Sequence, residues 1–168
     1  DGLLDLDFAG GQDIEDLSTN LYGGTIGIEE TYTIDNTPPL PLITSTLSPG
    51  PTNTDPIDIT IDFGEVVTGF IEGDVVVGNG LITGASFSDD GGGLYSFTIN
   101  PIADGTVSVD IAGGVADDAA SNANLAASQF TIEYDNSGPV FTSLATANFL
   151  ENGIGTVYTA TATDPQTP

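Results

Sequence analysis

The segment Asp117-Asp118-Ala119-Ala120-Ser121-Asn122-Ala123-Asn124 packs four short oxygen-bearing Asp and Asn side chains into eight residues. Asp117, Asp118 and Asn122 are candidate ligands for one cation, because carboxylates, amide oxygens and backbone carbonyls are the hard donors that calcium takes. The segment is not an EF-hand loop, since the central Gly and the terminal Glu are missing. The same residues have a second reading, in which Asp-x-x-x-Asn caps a single helical turn and satisfies its free N–H groups. The stretch from Asp13 to Asn20 carries a related pattern. Asp89-Asp90, just before Gly91-Gly92-Gly93, reads instead as a hairpin tip that is polar because it faces water.

Catalysis finds little to work with. The chain has no Lys, Arg, His, Cys, Met or Trp. Paired acids alone could serve a glycosidase, but no His, Cys or Lys is present to act as base, nucleophile or electrostatic clamp. Gly91 to Gly93 is not a phosphate loop, for it lacks the Lys and the helix after it. The 25 acidic residues give a formal charge of −25. With no cationic side chain to neutralise phosphate, nucleic-acid binding and attachment to anionic lipid are both excluded. No apolar run approaches the ~20 residues of a membrane-spanning helix. Self-repulsion of this size must be relieved by salt, by protonation or by bound cations, and calcium is the cation expected.

Strands must position these residues. Ile57-Asp58-Ile59-Thr60-Ile61-Asp62-Phe63 alternates apolar and polar side chains, and so do Tyr95 to Ile99, Val107 to Ile111 and Phe130 to Tyr134. Alternation with period two marks a strand with one buried face. The 22 Gly and 10 Pro fall mostly between such runs, where turns need them. Seven strands are expected, at about 42–47, 57–63, 74–78, 81–88, 94–100, 105–111 and 128–134. That count in roughly 100 residues suits an immunoglobulin-like β-sandwich, with a small barrel or jelly roll as the competing all-β arrangement.

The pattern recurs. Leu4-Asp5-Leu6-Asp7-Phe8-Ala9-Gly10-Gly11 matches Val107-Ser108-Val109-Asp110-Ile111-Ala112-Gly113-Gly114, Asp16 and Asn20 match Asp118 and Asn122, and Thr33-Ile34-Asp35-Asn36 with Pro39 matches Glu133-Tyr134-Asp135-Asn136 with Pro139. Residues 1–36 are therefore expected to be the last strands of one module, 37–136 a complete module and 137–168 the start of a third. Short Pro-containing junctions would make such a chain stiff.

Thr52-Asn53-Thr54-Asp55-Pro56-Ile57, Val66-Val67-Thr68-Gly69-Phe70, Asp104-Gly105-Thr106-Val107 and Asp117-Asp118-Ala119-Ala120-Ser121-Asn122 resemble the bacterial Ig-like repeats of giant surface adhesins. The resemblance covers 37–136 throughout and 1–36 as the tail of a related repeat. Asp135-Asn136, Pro139 and Phe141, then Glu151-Asn152-Gly153 and Ala160-Thr161-Ala162-Thr163-Asp164, resemble the linker and start of a bacterial cadherin-like domain. That second resemblance implies calcium at the domain junction, held by Asp135, Asn136, Glu151 and Asp164. The alternative for Asp135 and Asn136 is a turn in which a side chain bonds the backbone. Where the cadherin-like family has a further acid two residues after Asp164, this chain has Gln166.

These readings converge on a non-enzymatic, extracellular, cell-surface protein: a spacer or stalk segment of a large bacterial adhesin, stiffened by calcium. Its partners would be the neighbouring repeats of its own chain, with a surface glycan or protein as the distal target. The rival is a self-assembling fibre subunit, or a glycan-binding accessory module of a secreted protein, since open sheet edges seek strands to pair with.

Overall fold

Alternating burial along four strands builds the core. The computed structural model describes residues 1–6, 17–20, 30–144, 146, 148, 151–156 and 158–164. Strands β1 (Gly2–Leu6) and β2 (Glu30–Ile34) form an antiparallel pair. Next come β3 (Leu42–Thr44), β4 (Ile57–Asp62), β5 (Val75–Gly78), β6 (Gly80–Ile82), β7 (Ser88–Gly91), β8 (Leu94–Pro101), β9 (Gly105–Ile111) and β10 (Phe130–Tyr134). A last short pair joins β11 (Val140–Phe141) to β12 (Ala162–Thr163).

Strands β3 to β10 make two sheets. One has the order β3-β4-β8-β6, with β7 also paired to β8, and the other has the order β10-β9-β5. The buried positions are the alternate ones: Ile57, Ile59 and Ile61 on β4, Tyr95, Phe97 and Ile99 on β8, Val107, Val109 and Ile111 on β9, and Ile132 and Tyr134 on β10. Their partners in sequence, such as Asp58, Thr60 and Asp62, face outward or half-outward. An aromatic group closes one end. Phe70 lies edge-on to Phe63 and Tyr95, with ring centroids 5.0 and 4.9 Å away. The result is the immunoglobulin-like sandwich expected from the strand pattern.

The chain crosses between the sheets repeatedly. The chain passes from β5 in one sheet to β6 in the other through Asn79, whose φ is 53° and whose side-chain amide donates to the Ala103 carbonyl at 2.8 Å. The first segment changes sheets as well. Its β3 pairs with β4, whereas Thr52 pairs in parallel with the far end of β10.

One expected strand is broken. The run 81–88 reads as continuous, but strand pairing with β8 covers 80–82, ends with a bond from the Thr83 N–H to the Thr98 carbonyl at 2.8 Å, and resumes at 88–91. Between them Ala85 takes a φ of 59°, and the Ser86 hydroxyl substitutes for a backbone partner by accepting the Thr98 N–H at 3.1 Å. The detour lets Phe87 stack on Tyr95 and Phe97, so packing of one ring outweighs the ladder interrupted there.

The pairing of β1 with β2 repeats that of β9 with β10. Gly2 faces Ile34 and Gly105 faces Tyr134, at the opening of each first strand and the close of each second.

Candidate functional site

The loop between β9 and β10 is organised by one buried amide. Asn124 is 3% exposed. Its Oδ1 accepts the N–H groups of Val115 and Ala116 at 2.8 and 2.9 Å. Its Nδ2 donates to the carbonyls of Ala112 and Leu125 at 2.9 and 2.8 Å. Both lone pairs of its oxygen and both hydrogens of its amide therefore serve the backbone of this loop.

Within that frame Asp118 is buried. Its Oδ1 accepts the N–H groups of Ala120 and Asn122, both at 2.8 Å, and its Oδ2 accepts the Asn122 side-chain amide at 2.9 Å. Asp118 and Asn122 are thus brought together, and the carboxylate caps a tight turn that is not helical. Asp117 does not join them. It is exposed, and its backbone makes a two-way bridge with Thr68, at 2.8 and 3.0 Å. That bridge ties the β9–β10 loop to the loop after β4.

Two further acids arrive from elsewhere. Glu65 sits in the loop after β4. The Asn122 amide also donates to the Asp35 carbonyl at 3.1 Å, which seats the residue following β2 against the same turn. Carboxylate oxygens of Asp35, Glu65 and Asp118 then lie within 4.8 Å of one another. Burial first, then the negative charges of Asp118 and Asp35, push the Glu65 carboxyl above its ordinary value. Burial acts on Asp118 in the same sense, but hydrogen bonds from Asn122, Ala120 and Ser121 outweigh it and hold that carboxyl below its ordinary value. The turn therefore keeps Asp118 ionised, and Glu65 bears the repulsion.

A folded-state pKa that is raised destabilises the fold once pH exceeds it. In cation-free buffer, Glu65→Gln is expected to raise the melting temperature at pH 7. The gain should fade as pH falls and vanish near about pH 4, where the carboxyl of the unfolded chain also protonates. A gain that stays the same at acid pH would contradict this charge-based account.

The donor set suits a hard divalent cation. Calcium takes about six to eight oxygens. Three carboxylates supply up to six, and Asp35 and Glu65 are only half-buried, so water can complete the shell. No Lys, Arg or His exists to compete for them.

The remaining sequence-derived candidates are not members of that group. Asp135 Oδ1 accepts the Ser137 N–H at 3.0 Å, and the Asn136 N–H donates to Asp104 Oδ1 at 2.8 Å, so both residues form a side-chain-bonded turn. Glu151 is exposed beside Asn152, whose φ is 63°, and Asp164 is half-buried just past β12. Among the described residues, Asp135, Glu151 and Asp164 do not gather into a set of three carboxylates. Asp13, Asp16 and Gln166 lie outside the described residues. At the β7–β8 hairpin, Asp89 Oδ1 accepts the Gly91 N–H at 2.9 Å and Asp90 accepts the Ser88 hydroxyl at 2.8 Å, as a polar turn requires.

Sequence spacing does not single out Asp35 or Glu65. One signal was present for Asp35, since the internal repeat aligns it with Asp135. Glu65 has none, because nothing in its neighbourhood marks it as facing a loop more than fifty residues away.

A family model described as a bacterial Ig-like domain matches residues 35–134. No curated protein and no solved structure matches the chain. The matched stretch covers more than half of the 168 residues and takes in both sheets of the sandwich. The chain belongs to the bacterial Ig-like domain family.

Proposed function

We propose that this protein is a load-bearing spacer: a segment of the stalk of an extracellular bacterial surface adhesin, in which Ig-like modules follow one another and calcium stiffens the joint between them. Its partners are then the neighbouring modules of its own chain. The module boundaries fall near residues 36 and 136, and the matching registers of β1–β2 and β9–β10 support that division.

One observation carries the reading. Asp35 belongs to the link after β2, while Glu65 and Asp118 belong to the central sandwich, and their carboxylates converge. A cation bound there would hold the link to the sandwich and remove a three-way repulsion. Two half-buried carboxylates facing a buried, ionised one are costly without such a counter-ion, and the chain supplies no cationic side chain of its own.

Calorimetric titration of calcium into chelator-treated protein, with melting followed in parallel, tests this. A ligand at ten times its dissociation constant stabilises the folded state by about 1.4 kcal/mol, on the order of 6–10 °C for a domain of about 100 residues. That rise is expected for the wild type at millimolar calcium and should be largely absent in Asp35→Asn and Glu65→Gln. Equal melting with and without calcium, or equal rises in all three proteins, would remove the cation from the reading.

A further inference from the structure

Asp104 and Asp1 occupy equivalent places. Each precedes the Gly that opens a strand, Gly105 of β9 or Gly2 of β1, and each reaches the chain just beyond the strand paired to it. Asp104 Oδ1 accepts the Asn136 N–H at 2.8 Å, and its Oδ2 accepts the Ser137 hydroxyl. Asp1 Oδ1 accepts the Asn36 N–H at 2.8 Å, and its Oδ2 accepts the Thr37 hydroxyl at 2.5 Å. The repetition extends one step further: Asp135 and Asp35 each accept, through Oδ1, the N–H two residues on, both at 3.0 Å. Four identical residues, a hydroxyl side chain and three bonds recur at two separate exits from a strand pair.

From this we infer that the carboxylate before the penultimate strand is a clamp that fixes the direction in which the chain leaves one sandwich for the next, and that it does so without a metal ion. An ionised acceptor makes bonds roughly twice as strong as neutral ones. Two oxygens gripping consecutive residues fix the backbone between them, where a single contact would leave it free to swivel. Proline at position 39 or 139 narrows the next step of the path. The Ser137 hydroxyl and then the Asn136 N–H hold the Asp104 carboxyl below its ordinary value, so it remains the charged acceptor throughout neutral and mildly acidic water. Both Asp104 oxygens are engaged by protein donors, and Asp104 is no member of the converging group of Asp35, Glu65 and Asp118. The serine or threonine after the Asp-Asn pair then serves to present a hydroxyl, a role that its position in a linker does not suggest.

The test uses the whole chain, labelled with 15N, in EDTA. In Asp104→Ala the Asn136 amide is expected to exchange at least ten-fold faster. Order parameters at Asn136 to Phe141 should fall from about 0.85 towards 0.6 or below, while the Val109 and Ile132 amides keep their protection. Asp104→Asn retains an acceptor for the Asn136 N–H and should fall between the two. Asp1→Ala should loosen residues 36 to 38 and leave 136 to 141 unchanged. Unaltered order parameters in Asp104→Ala would overturn the clamp. So would an equal loss of protection at Val109 and Ile132, which would make Asp104 a prop for the sandwich alone. A wild-type link that is already loose in EDTA would assign its order to a metal ion and overturn the inference. Calcium binding at Asp35, Glu65 and Asp118 can fail its own titration without affecting any of these outcomes.

Discussion

Asn124→Asp is expected to cost the central sandwich roughly 4 kcal/mol at pH 7, in the range reserved for disruption of a buried polar network. The substitution changes almost no volume. It leaves an oxygen to accept from Val115 and Ala116 but turns the donor that faced the Ala112 and Leu125 carbonyls into a second acceptor. Two hydrogen bonds are lost, each worth about 1 kcal/mol, and two acceptors are left facing a like dipole at about 1–3 kcal/mol each. The new carboxylate is also buried in a chain that has no cationic side chain to pair with it. Its pKa in the folded state must therefore rise above that of the unfolded chain. The sign follows: the deficit is largest above the folded-state pKa and shrinks as pH falls towards about 4, where the protonated acid can donate to one of the two carbonyls. Urea midpoints at pH 7 and pH 4.5 measure both parts. A loss below about 1 kcal/mol, or one that does not change with pH, would mean that Asn124 is not the organiser of the loop.

That loop also shows what a sequence of this kind reveals and what it conceals. The runs at 57–63, 94–100, 105–111 and 128–134 become β4, β8, β9 and β10 with ends moved by a residue or two, because alternating burial is written into neighbouring residues. The break at 83–87 is concealed, because its cause is a ring stacking on Tyr95 and Phe97 from the next strand. The candidate site divides the same way. Asp118 and Asn122 are four residues apart, and their bonding is local. Asp35 and Glu65 reach them through non-local contacts such as the Asn122 bond to Asp35 and the Thr68–Asp117 bridge, neither of which has a signature in spacing. Asp135 is legible as the counterpart of Asp35 through the internal repeat, but the residue after it is held by Asp104, an acid that reads as an ordinary turn residue before Gly105.

Gly93→Ala is expected to cost about 3–5 kcal/mol, the level of an exceptional single substitution, and its neighbour supplies the control. A Cβ at Gly93 would lie 1.8 Å from the Glu65 carbonyl oxygen and 2.7 Å from its carbon. Both are backbone atoms, so no rotamer change relieves the overlap, and one of the two loops must move. Moving it strains the bond from the Phe63 N–H to the Gly93 carbonyl, 3.0 Å long, at the end of β4 next to the Phe63–Phe70 ring contact. Gly92 has a comparable backbone, with φ +70° against +86° for Gly93, but a Cβ there meets nothing within 4 Å. Gly92→Ala should therefore cost only the conformational penalty, about 1 kcal/mol, and the difference between the two variants isolates the close approach. Because the residue pressed by Gly93 is Glu65 itself, the calcium-induced rise in melting temperature should also shrink in Gly93→Ala and survive in Gly92→Ala. Thermal melts of both variants with calcium and with EDTA would decide it. Costs within about 1 kcal/mol of each other would show that the loop carrying Glu65 yields to the added methyl, and that the hairpin does not hold this carboxylate in place.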